Sequence, residues 1–232
     1  PAILVVMVFA ALFVLLTAVV PQFLPMFRDM NVQMPFITKA TLFVGTTLQD
    51  WWWLMILAVV ALVVAIRKRL ADPEKKLAWD AQVLGMRVVG PLVAKLETAR
   101  LSRTLGTLLR NGVPLLTALS IARNVLGNTA LAESVDKAAE DVKTGGGLAH
   151  ALSQSKRFPK LATQMISVGE ESGELDAMMM TVADTFDVEA KNTVDRMLAA
   201  LVPLLTVVMT VMVGFIMMAI LLPILSLTSS LQ

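Results

Sequence analysis

Three long apolar runs enclose one polar block along the chain. Residues 2–20 are apolar apart from Thr17, and nineteen such residues, rising about 1.5 Å each, cover a hydrocarbon core of about 30 Å. A second run opens at Trp51-Trp52-Trp53 and stops at Arg67-Lys68-Arg69; indole rings suit the headgroup boundary. A third, 197–225, has no ionisable side chain, and Pro203 and Pro223 lie near its two ends. This pattern predicts membrane-spanning helices over 1–20, 48–66 and 197–225, a loop over 21–47, a polar domain over 67–196 and a small polar tail over 226–232. Basic residues beside a span favour the cytoplasmic side. Arg67-Lys68-Arg69 and Arg196 therefore put the polar domain in the cytoplasm and the loop and tail on the opposite face.

A secretory signal peptide competes for the first run, but it wants a basic leading region and a small-x-small cleavage site, and neither is present. Because the chain starts at Pro1 inside an apolar run, a further segment is expected before it, although Met removal before Pro produces the same start. The polar domain has no stretch of period-two alternation and reads as six helices. Leu101, Leu105, Leu108 and Leu109 form one apolar face, stopped at Asn111-Gly112. Pro114 starts the next helix, which closes at Gly127. Asn128 can cap a third, with Leu131, Val135, Ala138, Ala139 and Val142 on one side, ending at Gly145-Gly146-Gly147. A fourth runs over 148–155. Phe158-Pro159 starts a fifth, with Leu161, Met165 and Val168 inward. A sixth begins after Gly173 and, with no Pro or Gly before Pro203, can run straight into the third span. The fold expected is an all-α membrane protein, three transmembrane helices plus a cytoplasmic six-helix bundle.

Composition narrows the chemistry. Hydrophobic residues make up 56% of the 232, and 34 of the 38 charged side chains fall within 67–196. The net charge of +2 gives no reason to expect nucleic acid. Its layout is uneven: residues 67–110 carry ten basic and four acidic side chains, and 111–196 eight basic and twelve acidic. One end of the domain is thus expected to be positive and the other negative. With no Cys or Tyr and a single His, His150, most parts for acid–base or metal chemistry are missing, and no cofactor is expected. Gly145-Gly146-Gly147 is followed by Leu148, not by the Lys-Ser/Thr of a phosphate loop. Met178-Met179-Met180 is a soft apolar surface, read as core ahead of a partner groove. Asp50 lies beside the tryptophans, not at mid-membrane, so it offers no ion path.

One stretch stands out, Val168-Gly169-Glu170-Glu171-Ser172-Gly173-Glu174-Leu175. In a continuous helix Glu170 and Glu174 would repel across one turn; Gly169 and Gly173 argue for a break instead. Glu174 and Asp176 then fall in the first turn of the sixth helix, where negative charge is favoured. Glu170 and Glu171 end the fifth helix, where it is not, so a cationic partner is expected: an intramolecular Lys or Arg, or a basic patch on another protein. A Mg²⁺ or Ca²⁺ site lacks the ligand spacing. A catalytic pair lacks a third polar group, and no enzyme activity is expected.

Taken in order, Gly112-Val113-Pro114-Leu115-Leu116, Gly145-Gly146-Gly147-Leu148, Phe158-Pro159, Met165-Ile166-Ser167-Val168-Gly169-Glu170-Glu171-Ser172-Gly173-Glu174-Leu175 and Ala219-Ile220-Leu221-Leu222-Pro223-Ile224 resemble the type II secretion F domain family. Its members are inner-membrane platform proteins of type II secretion and type IV pilus machines, and the likeness covers nearly the whole chain. It implies a multi-pass protein of the bacterial inner membrane in which 21–47 and 226–232 are periplasmic. It also implies a platform between a cytoplasmic hexameric ATPase and pilin-like subunits, within a homo-oligomer that meets other inner-membrane assembly subunits and membrane lipid. The family usually has two copies of the helical domain, of which 67–196 resembles the second. Its Glu-Pro near the start of the last span is Val202-Pro203 here, so no intramembrane carboxylate is carried over. Glu170, Glu171 and Glu174 become the expected ATPase contact. The rival classes are a transporter or channel subunit, which needs polar groups at mid-membrane, and a membrane-tethered enzyme.

Overall fold

The computed structural model describes residues 2–14, 17 and 36–230, and every described element is helical. In chain order these are α1 Ala2–Val14, α2 Phe36–Leu70, α3 Pro73–Gly85, α4 Val89–Arg110, α5 Leu115–Arg123, α6 Thr129–Lys143, α7 Leu148–Gln154, α8 Lys160–Ser172 and α9 Leu175–Ser230. The chain divides into two compact units, residues 1–64 with 197–232, and residues 65–196.

Apolar composition alone accounts for the first unit. α1 has no charged residue along its thirteen positions; the rest of the expected first span, and most of the expected loop, lie outside the described residues. α2 and α9 are each long and apolar enough to cross a membrane, and neither buries its apolar window inside the protein. Exposed Trp51, Trp52, Val59, Leu62, Val207 and Val211 would be costly in water and are stable in lipid. The protein is thus a membrane protein. Helix is the form such segments take, because every backbone polar group is then satisfied within the segment.

Two boundaries differ from the sequence reading. Residues 36–47, expected as loop, already belong to α2, since no Pro or acidic cluster interrupts the segment from Phe36 onward. At the other end α9 continues through Ser230, so 226–230 is helical and not a free tail. Positions 203 and 223 both fall inside α9: each Pro removes one backbone donor without ending the helix.

The second unit is built around Leu101, Leu105, Leu119, Leu131, Leu148, Leu152, Met179, Val182 and Phe186, all at most 2% exposed. Burying such a side chain is worth about 1.5–3 kcal/mol, and these come from α4, α5, α6, α7 and α9, which ties five helices into one core. Met179 is core, as expected; Met178 and Met180 are half-buried. α3 was missed by the sequence reading, so the unit holds more helices than six. It has no buried residue, hence a weak apolar stripe, but its start was encoded: Asp72 accepts the Glu74 N–H at 3.2 Å and Pro73 occupies the first turn.

Helix ends follow local rules. At the end of α4, the Val113 N–H reaches the Leu108 carbonyl at 3.0 Å and the Gly112 N–H reaches Leu109 at 2.8 Å, with Gly112 at φ +79°. That is a Schellman stop, with Val113 and Leu108 both packed against the core. Pro114 sits immediately before α5 and Pro159 immediately before α8, both extended. α5 closes at Arg123 rather than Gly127. The inward face of α8 is Ala162, Ile166 and Gly169; Met165 packs beside them as expected, while Leu161 and Val168 are 45% and 54% exposed. The helix is rotated by one residue because its smallest side chains face its neighbours.

Candidate interaction site

Val168–Leu175 makes the hairpin between α8 and α9. Gly173 takes φ +76°, the left-handed turn between the helices. Ser172 Oγ accepts the Glu174 N–H at 3.4 Å. A Cβ on Gly169 would lie 2.6 Å from Met178 Cβ and 3.3 Å from Leu175 Cα, so only glycine lets α8 and α9 approach this closely. Leu175 packs on the core.

The carboxylates separate into two kinds. Glu170, half-buried, accepts the backbone N–H groups of both Leu148 and, at 2.9 Å, Ala149. It therefore caps α7, whose first residues carry donors with no partner in their own helix. The expected Lys or Arg is replaced by a helix N-terminus, which is itself partly positive. Glu171 and Glu174 are exposed. Glu171 accepts only the Ser167 hydroxyl, at 3.1 Å, among the described contacts.

The triple glycine is the other half of this arrangement. Gly145, at φ +93°, and Gly146 form a second Schellman stop: the Gly145 N–H reaches Val142 at 3.0 Å and the Gly146 N–H reaches Asp141 at 2.9 Å. Gly147 precedes α7, and a Cβ there would meet the Glu170 carboxylate at 3.4 Å, ordinary contact. The segment is a helix connection with a carboxylate lid and has no phosphate-loop geometry.

Two more acids, unremarked in the sequence, play the same part. Asp80 Oδ2 accepts the Thr129 N–H and hydroxyl, both at 2.7 Å, while Asn128 Oδ1 accepts the N–H groups of Ala130 and Leu131 at 3.0 and 3.1 Å. Glu97, buried on α4, accepts the Gly127 N–H at 2.8 Å. Asp80 belongs to the missed α3, and Glu97 caps a loop thirty residues away, so neither has a local sequence signal. The capping of α6 by Asn128 was legible.

Ion pairs join the basic and acidic segments between α4 and α9. Arg103 on α4 meets Asp184 and Asp187 on α9 at 2.8 and 2.5 Å, and Lys95 meets Glu189 at 3.0 Å. Arg103 and Lys95 of the basic segment 67–110 thus sit against acids of 111–196. Asp187, then Asp184, raises the Arg103 pKa further above its ordinary value. Arg157 donates to the Ala130 carbonyl, Ser134 and Glu133. Lys137, then Arg157, holds the Glu133 carboxyl below its usual range. Lys75 does the same for Asp72. His150 is exposed, with Gln154 at 3.0 Å. Among the described residues no group of three or more His, Asp and Glu side chains could hold a metal ion.

Residues 101–223 match the family model for the type II secretion system (T2SS), protein F. The chain is 50% identical over 230 residues, 99% of its length, to the type II secretion system protein F of Xanthomonas campestris pv. campestris. It is 35% identical over 229 residues to the protein of the same name from Vibrio cholerae, and 35% identical over 213 to the type IV pilus assembly protein PilC of Pseudomonas aeruginosa. It covers 99% and 91% of its own length in these two, and spans 57%, 56% and 57% of the length of the three relatives. By these matches the chain belongs to the type II secretion system protein F family.

Proposed function

We propose that this chain is part of an inner-membrane platform of a type II secretion system, linking a cytoplasmic hexameric ATPase to the assembly of pilin-like subunits. In this reading α1, α2 and α9 supply three spans at 1–20, 48–66 and 197–225, with 67–196 in the cytoplasm. The observation that carries it is α9. This helix contributes Met179, Val182 and Phe186 to the core of the second unit and continues without a break through the apolar segment to Ser230. A helix continuous over that length can pass a push from the bundle to the membrane; a jointed one cannot. The chain carries no nucleotide loop, so the energy comes from a partner.

Glu171 and Glu174 are the open carboxylates for the ATPase contact, and Glu170 supports them by fixing the α7–α8 packing. Glu171→Lys with Glu174→Lys is expected to abolish co-purification of the ATPase and export while leaving thermal stability unchanged. Unchanged binding and export would remove this surface from the reading. A type IV pilus platform is the second reading, supported by the pilus assembly relative; export of a soluble cargo against surface piliation in a complemented deletion strain separates the two.

A further inference from the structure

α2 ends at Leu70, four residues beyond Ile66, and α3 follows after a short turn. The turn is made by the Ala71 N–H on the Arg67 carbonyl at 3.1 Å and the Asp72 N–H on the Arg69 carbonyl at 3.4 Å. Ile66, Arg69 and Leu70 lie three and four apart on α2, and Lys75, Trp79 and Gln82 lie four and three apart on α3. Each set therefore falls on one helical face. The two faces line a groove of about 300 Å³. Ile66 is 37% and Trp79 44% exposed. An indole and an aliphatic side chain at the surface beside two cations are an unusual combination for a merely solvated flank. Lys75 is engaged by Asp72 at 2.6 Å, a pair exposed on both sides; an ammonium carries three donors and has room for another acceptor. Nothing described pairs with Arg69.

We propose that this groove binds an anionic phospholipid, its phosphodiester held by Arg69 and Lys75 and its first acyl carbons laid on Ile66, Leu70 and Trp79. Three observations select a lipid over a protein segment. Arg69 lies only about 4.5 Å along the helix axis from Ile66, the end of an apolar run that starts at the tryptophans, so the groove sits at headgroup depth. The charge sign matches: 67–76 holds five basic and two acidic residues. Two of the apolar lining residues, Ile66 and Leu70, belong to the same helix as the apolar run. The proposal rests on reading 48–66 as a span.

The test uses the intact protein with Trp51, Trp52 and Trp53 changed to Phe, reconstituted into phosphatidylcholine vesicles holding a minor share of phosphatidylglycerol. Either lipid is brominated in turn, and quenching of Trp79 is read. Brominated phosphatidylglycerol is expected to quench more than its mole fraction warrants. That preference should fall about fivefold with Arg69→Gln or Lys75→Gln, and hold with Lys68→Gln plus Lys76→Gln, cations outside the groove. Equal quenching by the two lipids, an equal loss from both sets of substitutions, or a preference abolished by added inorganic phosphate overturns the site. Resistance to alkaline carbonate extraction is read in the same vesicles. If the protein is extracted, the span reading fails; if it stays inserted without preference, only the site fails.

Discussion

Gly169 and Glu170 are neighbours with opposite demands. The glycine must be empty so that Met178 can approach, and the carboxylate must be present so that Leu148 and Ala149 keep an acceptor. Gly169→Ala forces a Cβ to 2.6 Å from Met178 Cβ, overpacking that costs about 1–3 kcal/mol. Glu170→Ala leaves two helix N-terminal donors without a partner, about 1–3 kcal/mol. In a chain of this size each kcal/mol lowers Tm by about 2–4 °C. Gly147→Ala is the control: its backbone is extended at φ −74° and its Cβ would meet only ordinary contact, so Tm should hold. A thermal scan of the three variants checks this ranking; Gly147→Ala as damaging as Gly169→Ala would contradict it. Glu133 adds a pH dependence. Its folded pKa lies below the ordinary 4.5, so its contribution is complete above that value and is lost as pH falls through the folded one. Glu133→Gln should flatten the stability profile in that acid range alone, as read by denaturant midpoints at a series of pH values; parallel profiles would contradict it.

At the scale of elements, what the sequence made legible is what local chemistry decides. Gly112 after Asn111, Asn128 before α6 and Pro159 before α8 each announce a helix end within two or three residues. The apolar face of α6 was legible too, and its Leu131, Val135 and Ala138 are buried. What was not legible depends on partners distant in sequence. α3 lacks a strong stripe because it buries nothing fully, and the rotation of α8 follows from the smallness of Ala162 and Gly169 against their neighbours. The partner of Glu170 could not be read because helix N-termini twenty-two residues away leave no mark beside a glutamate. The α4–α9 ion pairs are of the same kind, but they are largely exposed. Arg103→Gln should change stability by less than about 1 kcal/mol; a larger loss in a denaturant series would give that pair a core role.

For the whole molecule, a polar helical unit and an apolar unit share one chain, and α9 belongs to both. This arrangement fits a mechanical adaptor: a packed core at one end of a helix and exposed apolar side chains at the other. Reporter fusions at positions within 67–196 should report the cytoplasm, and fusions near Gln232 the periplasm; the reverse pattern would overturn the topology. The central proposal is that α9 transmits movement through its unbroken helix, and the most direct measurement is export with a flexible Gly-Ser-Gly insertion after Arg196. The account predicts that export is lost while membrane level, thermal stability and ATPase co-purification stay at wild-type values. Wild-type export from the insertion variant would contradict it.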